Sequence, residues 1–476
     1  MKLISDKNPI DVFKEASSIL NKAVAHTLGP AGLNSAIVYG KDIQANPKFD
    51  IINDGKTIID NLTSTDAEVA CALQTIRESV LSTNISAGDG TTSTIILTNA
   101  LLNELSNISK TEFEKCRQLK IIKKELLNKL SDVTVQIGDE VNLENVIETS
   151  LGSKEYTSLF KSAFDLVGVN GKVLLEKSYD TKPCIEVIDG ISFNQVGLIH
   201  EIILDTSGNI NKKLKDCNMI VFDEDIKQFN EISRYMLEAK KSAKPTLFIY
   251  NKMGGDVFRT MASNLLKEDY NFYPITLNGY DTEYHKYLNL FKKIAEIGVD
   301  AVTFNKDALV LNPKDSNIIA DYLAKNDFNL SIKTVIIKAG AGNSIALEEQ
   351  YRRFEDAVYS CTNALKYGVC QGGGLTYIKL GDLAEVNIKQ LTDQPIIDAV
   401  KAALNSIYLQ LLKNCDINIT DTLKLPKLNE ITGKYELDDS YKAYDSYKVI
   451  EQVIENSFDI VISIFSTNIL ICNPQR

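Results

Sequence analysis

Gly88-Asp89-Gly90-Thr91-Thr92-Ser93 brings together residue types that can hold a phosphate. Glycines let backbone N–H groups approach an anion, the three hydroxyls add donors, and the apolar run that follows presents a helix N-terminus. Asp89 cannot usefully face a phosphate alone, but it can bind a magnesium ion that bridges phosphate oxygens. The run is not a P-loop, since no GxxxxGK[ST] occurs there. A plain capped turn uses the same residues, so the motif must be weighed with its neighbours.

Two other short loops precede it. Thr27-Leu28-Gly29-Pro30 sits at an expected helix end, where the chain can turn closely, although a simple helix stop reads the same way. Asp54-Gly55, in "INDGKTI", is also a common turn pair. Far downstream, Gly372-Gly373-Gly374 offers another place where backbone can approach a ligand or merely bend. It follows a helical stretch carrying Glu355 and Asp356, and an exposed helical acid is the ordinary reading of Asp356. If folding brings Asp54, Asp89 and Asp356 together, three carboxylates repel one another unless a cation joins them. Magnesium nucleotide satisfies that requirement.

Composition narrows the classes. The chain has 476 residues, 44% of them hydrophobic and 24% charged, so a soluble protein of two to four domains is expected. No run of eighteen apolar residues appears and the N-terminus lacks a secretory pattern, so neither membrane nor export is expected and the location is read as cytoplasmic. A net charge of −11 without a basic block argues against nonspecific nucleic-acid binding. Eight scattered cysteines without a CxxC pair read as reduced thiols. Three separated histidines give no local metal site or triad. Hydrolysis would therefore rest on carboxylates and a cation carried by the substrate.

The elements that must position these residues follow from periodicity. Helical spacing runs over 9–28, 66–86, from the Gly90 break to Leu102, and over 112–130. "SAIVYG" and "FDIIND" read as strands. After 132 the pattern changes: helices near 143–148 and 155–166, strands at "GKVLLEK" and "CIEVIDG", then "NMIVF", "PTLFIY", "YPITL" and "DALVLN" alternating with helices at 225–240 and 255–268. Helical spacing returns at 343–367 and 386–414. The economical layout is a helical domain formed from both chain ends, a connector crossed twice and an inserted central alpha/beta domain.

In order and separation, "TLGPAGLN", "NDGKTI", "AGDGTTSTI", "RRFEDAVYSCTNALKYGVCQGGGL" and "YDSYKV" resemble the 60-kDa chaperonins, especially the bacterial and organellar group. The match is strong at both chain ends and from Glu355 to Leu375. The resemblance implies a multidomain fold: a mainly helical equatorial domain at 1–131 and 375–476, a small alpha/beta intermediate domain at 132–185 and 337–374, and an alpha/beta apical domain at 186–336. It implies an ATP-dependent chaperone working with Mg2+, with K+ as a further candidate cation. It carries nucleotide-backbone contacts to Thr27, Leu28, Gly29 and Pro30, phosphate contacts to Gly90, Thr91, Thr92 and Ser93, and the magnesium ligand to Asp89. Asp54 and Asp356 match the acids that orient or activate water, Gly373 the nucleotide-loop glycine and Asp445 the acid near the ribose. Asn53 stands where bacterial relatives typically carry Lys, so one positive nucleotide contact is missing.

Apical similarity is thinner. Phe258 and Met261, on a helix at 255–266, align with a hydrophobic surface that holds nonnative protein clients, while a core stripe remains the ordinary reading. In "QVGLIHEIIL", Leu198, Ile199 and Ile202 are further client candidates, and Glu201 is awkward in an apolar groove. The segment around 316–325 is shorter than the helical pair usual in bacterial relatives, and the "ICNPQR" end lacks their Gly-Met-rich tail. Such losses suit a divergent member of a virus or compact genome. The resemblance implies a homo-oligomeric ring, heptameric in the bacterial group, and leaves co-chaperonin use open. Two other classes stay in view: a chaperonin-fold binding protein that has lost ATPase coupling, and an unrelated small-molecule kinase.

Overall fold

The computed structural model describes residues 3–4, 7–39, 48–138, 141–168, 171–178, 180–194, 196–198, 211–242, 244–267, 271–277, 283–305, 308–328, 330–418, 423–429 and 431–472. The chain folds into two compact units, one made of Met1–Lys161 with Ala341–Arg476 and the other of Ser162–Gly340.

In the first unit, long helices from both chain ends share one core. Leu20, Ile76, Leu101 and Leu126 from the N-terminal half are buried in the same cluster as Leu404, Val453 and Phe458. Local signals set the helix ends. Asn8 accepts from Ile10 N ahead of helix Pro9–Val24, with Pro9 in the first turn. Thr111 and Glu114 close a capping box on Glu112–Leu130. The expected helix over 9–28 tightens to a 3-10 turn at Ala25–Thr27, and the stretch expected over 386–414 is two helices, Leu375–Ile388 and Gln394–Asn414. The second helix begins after Asp393 in the N-cap position, with Pro395 in its first turn, where proline's missing N–H costs nothing. Leu3–Ile4 pairs antiparallel with Ile471–Cys472, so strand bonds also tie the two chain ends.

The second unit is built on a seven-stranded mixed sheet in the order Ile191–Phe193, Ala308–Pro313, Val299–Asn305, Asn211–Val221, Thr246–Tyr250, Phe272–Thr276, Gly197–Leu198. Only the contacts of Thr246–Tyr250 with its two neighbours are parallel among these pairs. The Thr246–Tyr250 strand alternates its faces as a strand must. Phe248 and Tyr250 join Met236 and Met261 of the helices Asn230–Lys241 and Gly255–Lys267, while Leu247 and Ile249 join Phe291 and Ile319 on the other side. A smaller sheet sets Thr334–Ala339 parallel to Lys172–Lys177 and antiparallel to Cys184–Ile188. Helix Tyr284–Ile297 and strand Val299–Asn305 were not marked by the sequence pattern.

Among the described residues no helix is long and apolar enough to cross a membrane. Cys116, Cys217, Cys361, Cys370 and Cys415 are free and buried, and burial pushes the Cys361 thiol above its ordinary range.

Candidate nucleotide site

Every residue assigned to the nucleotide from the sequence lies in the first unit. Helix Thr91–Ser106 starts at Gly90, whose φ of +95° is left-handed, and no side chain caps it. Its first-turn N–H groups are thus left for another acceptor. Thr91 Oγ1 is buried without a hydrogen-bond partner, the condition expected of a hydroxyl shaped for a ligand. Thr94, by contrast, is satisfied within the fold, since its hydroxyl donates to Gly90 O at 2.9 Å.

Asp54 stands at the head of helix Gly55–Asp60, where its carboxylate accepts from Lys56 N at 3.0 Å and Thr57 N at 2.9 Å. The following glycine faces the phosphate-type loop: a Cβ at Gly55 would come 2.5 Å from Thr92 Oγ1 and 3.5 Å from Thr92 N. Close approach of two backbones is why glycine is needed here. The Asp54 and Gly88–Ser93 loops therefore abut.

Thr27 to Pro30 and Gly373 meet at a different side chain. A Cβ at Gly29 would fall 2.2 Å from Leu411 Cδ1, and one at Gly373 3.3 Å from Leu411 Cδ2. Both glycines hold positive φ. Asn414, one turn beyond Leu411, donates to Ala25 O at 2.8 Å and Leu28 O at 2.9 Å, and Tyr435 donates its hydroxyl to Pro30 O at 3.0 Å. The Thr27 hydroxyl is spent on Val24 O, so this loop offers backbone rather than side chain. Asn414 and Tyr435 were not identified from the sequence; a polar residue late in an apolar helix gave the only hint for the first.

The acids sense one another. Burial first, and then the charge of Asp54, raises Asp89 above the usual carboxylate range, against a 2.5 Å bond from Gly90 N. Asp356, on helix Ser344–Tyr367, is raised well above it by burial and then by Asp89, Asp54 and Glu355, with Lys56 pulling the other way. Asp445 lies on strand Tyr444–Ser446 opposite Cys370, and burial followed by Asp89 pushes it up to about 7. Tyr377 is buried beside Asp445 and Asp89. Clustered carboxyls of raised pKa call for a cation. Among the described residues, no three His, Cys, Asp or Glu side chains are grouped to hold a metal ion by themselves.

The client candidates divide. Phe258 is 39% exposed, whereas Met261 is 0% exposed and packs in the core with Phe248 and Phe272. The expected surface role of Met261 is thus corrected to core packing: three residues along a helix, its side chain turns onto the sheet. Leu198 lies on the edge strand Gly197–Leu198, opposite Ile275. Ile199, Glu201 and Ile202 lie outside the described residues.

The model of the TCP-1/cpn60 chaperonin family matches residues 20–245 and 288–474. Chaperonin GroEL 1 of Prochlorococcus marinus is 24% identical over 508 aligned positions, covering 96% of this chain and 89% of the relative. The chloroplastic RuBisCO large subunit-binding protein subunit beta of Pisum sativum is 22% identical, with 96% and 85% covered. Among solved structures, chaperonin gp146 from the bacteriophage EL 2 (Pseudomonas aeruginosa), crystallised in presence of ATP-BeFx, superposes with TM-scores of 0.71 and 0.74 in two crystal forms. It is 16% identical, with 100% of this chain and 99% and 100% of the phage chain covered.

Proposed function

Because the chain belongs to the TCP-1/cpn60 chaperonin family, we infer that it is an ATP-dependent molecular chaperone that captures nonnative proteins in a ring-shaped chamber and assists their folding through ATP hydrolysis. The observation that supports the chemistry best is the gathering, in one unit, of an uncapped helix start, the unpartnered Thr91 hydroxyl and the mutually perturbed acids.

A magnesium nucleotide supplies the phosphoanhydride bond and the divalent charge that offsets the carboxylates. The backbone of Gly90, Thr91, Thr92 and Ser93 holds its phosphate oxygens, and Asp89 is the metal's protein ligand. Thr27, Leu28, Gly29, Pro30 and Gly373 pass close to the nucleotide with their backbone, and Asp445 receives the ribose side. Asp54 and Asp356 orient the attacking water. Burial and the neighbouring Asp89, Asp54 and Glu355 raise the Asp356 carboxyl well above its ordinary range, and positive charge entering with the nucleotide favours its carboxylate form, the form able to accept a proton from water.

The five-segment division given above, with equatorial, intermediate and apical parts, is the layout through which the nucleotide state reaches clients. The ring is a homo-oligomer, heptameric by analogy with the bacterial group, working in the cytoplasm. K+ is a candidate second cation. Phe258 is the leading apolar client contact.

The test is recovery of a chemically denatured enzyme by the purified protein. Mg-ATP is expected to raise the recovered yield while native mass spectrometry shows a closed oligomer near a multiple of seven chains. A stable monomer, or ATP left unhydrolysed with client present, overturns the reading.

A further inference from the structure

The helix Ser344–Tyr367 does more than carry Asp356. Tyr359 and Asn363 follow that acid at intervals of three and four, which sets all three on one face. Both later residues grip the turn that bears Asp89. A Cβ at Gly88 would lie 2.2 Å from Tyr359 Cγ, 2.3 Å from its Cβ and 2.7 Å from its Cδ2, so the tyrosine is set directly on the Gly88 backbone. Gly88 has φ +77°, a conformation that also favours glycine. Asn363 Nδ2 donates to Ala87 O at 2.9 Å. Ala87 closes helix Ala67–Ala87, so this bond satisfies a terminal carbonyl that the helix itself leaves open.

We propose that Tyr359 and Asn363 are positioning residues that fix the register of the Asp356 helix on the Ala87–Asp89 turn, and so set the Asp356 carboxyl at the reacting end of the nucleotide. The proposal rests on the hydrolytic role given to Asp356 above. Two contacts, one apolar against Gly88 and one polar to Ala87, define a register that neither defines alone. A slip by one helical turn would displace the acid by about 5.4 Å. Neither residue belongs to the backbone cradle assigned to the phosphates, so the clamp is expected to act chiefly on the hydrolytic step, and the Mg2+ dependence of binding reads any effect passed on through Asp89 of the gripped turn.

Steady-state ATP hydrolysis and nucleotide affinity, measured on the assembled full chain with Mg2+, separate the outcomes. Asn363→Ala and Tyr359→Ala are expected to lower kcat on the order of tenfold to a hundredfold, as small displacements of a reacting group do, with nucleotide affinity within about threefold of wild type. Tyr359→Phe keeps the Cβ, Cγ and Cδ2 atoms set against Gly88 and is expected to restore turnover. Thermal melting of each assembled variant checks folding. Turnover equal to wild type in both alanine variants overturns the clamp while leaving the ATPase reading intact. Loss of affinity and melting temperature along with kcat, without rescue by phenylalanine, assigns the two residues to stability alone and also overturns it. A wild-type protein that hydrolyses nothing overturns the function reading itself, and the clamp with it.

Discussion

Asn53 donates its side-chain amide to Asn34 Oδ1 at 3.1 Å. The bond joins the residue just after strand Lys48–Ile52 to the one just before Ser35–Tyr39, across an antiparallel hairpin whose register sets Ser35 opposite Ile52. At the place where the resemblance leads one to expect lysine, this chain has a neutral brace.

The first prediction follows from that exchange. Asn53→Lys adds a positive charge next to Asp54, near Asp89 and Asp356, whose carboxyls are raised above their ordinary range by burial and by neighbouring acids. A cation within a few ångströms of a phosphate contributes on the order of 1–2 kcal/mol in a partly solvated site, so KM for Mg-ATP should fall about fivefold to thirtyfold. The lost Asn34 bond should cost the hairpin about 1 kcal/mol. Isothermal titration with a nonhydrolysable nucleotide reads the affinity, and weaker binding in the lysine variant would refute a compensating charge here.

A second pair of substitutions divides the acids by role. Asp356→Ala removes a water-orienting carboxyl and leaves the cradle, so nucleotide should still bind while turnover falls at least a hundredfold. Asp89→Ala removes the metal's protein ligand, so the magnesium dependence of binding should weaken instead. Chelating Mg2+ is expected to abolish turnover in the wild type. Equal turnover in the Asp356 variant would reject its catalytic assignment, and identical affinity losses in both would merge the two roles.

Stability should depend on pH through Asp445. Its carboxyl titrates near 7 in the folded chain against an ordinary value of 3.8. The folded state therefore keeps a proton that the unfolded chain has already lost between those values. The contribution to stability is fullest below about pH 4 and is lost as pH rises towards about 7. Asp89 and Asp356 shift in the same direction and add to the trend. Thermal melting of nucleotide-free protein from pH 5 to 8 should fall with pH, and Asp445→Asn should flatten part of that slope. An unchanged slope in the asparagine variant would show that Asp445 ionises freely.

The nucleotide loops were legible because each needs a residue type that ordinary turns use less densely: Gly88 and Gly90 at positive φ, Gly55 against Thr92, and Gly29 and Gly373 against Leu411. Periodicity likewise marked the long helix carrying Asp356, and helix Ser316–Lys325 matches the modest helical segment read around 316–325. Leu411, Asn414 and Tyr435 escaped because their partners are backbone atoms far along the chain, and no local pattern encodes a bond between Asn414 and Ala25. Tyr359 and Asn363 escaped for a related reason. Their spacing from Asp356 was visible, but only folding sets Gly88 beneath that face. The hairpin of Leu425–Asn429 with Lys434–Asp438 lacks a strong apolar alternation, and its partners emerge only with the tertiary fold.

Phe258 and Met261 were expected to act together on clients, and their different burial now predicts opposite behaviour. Phe258 leaves 39% of its surface exposed on helix Gly255–Lys267, whereas Met261 is sealed against Phe248 and Phe272. Phe258→Ser should therefore weaken capture of an unfolded client and leave melting nearly unchanged. A fully buried phenylalanine contributes roughly 1.5–3 kcal/mol, and a mobile client should realise less of it. Met261→Ser should instead create a cavity lined by aromatic rings and bury a hydroxyl there, at a cost of about 2–5 kcal/mol. Hydrogen exchange across 244–267 distinguishes the two: protection should persist in the Phe258 variant and fall broadly in the Met261 variant. Basal ATP turnover is expected to survive Phe258→Ser, since the nucleotide residues all belong to the other unit. Unaltered client affinity in the Phe258 variant would remove this helix from the capture surface and leave the Gly197–Leu198 edge strand as the next element to test.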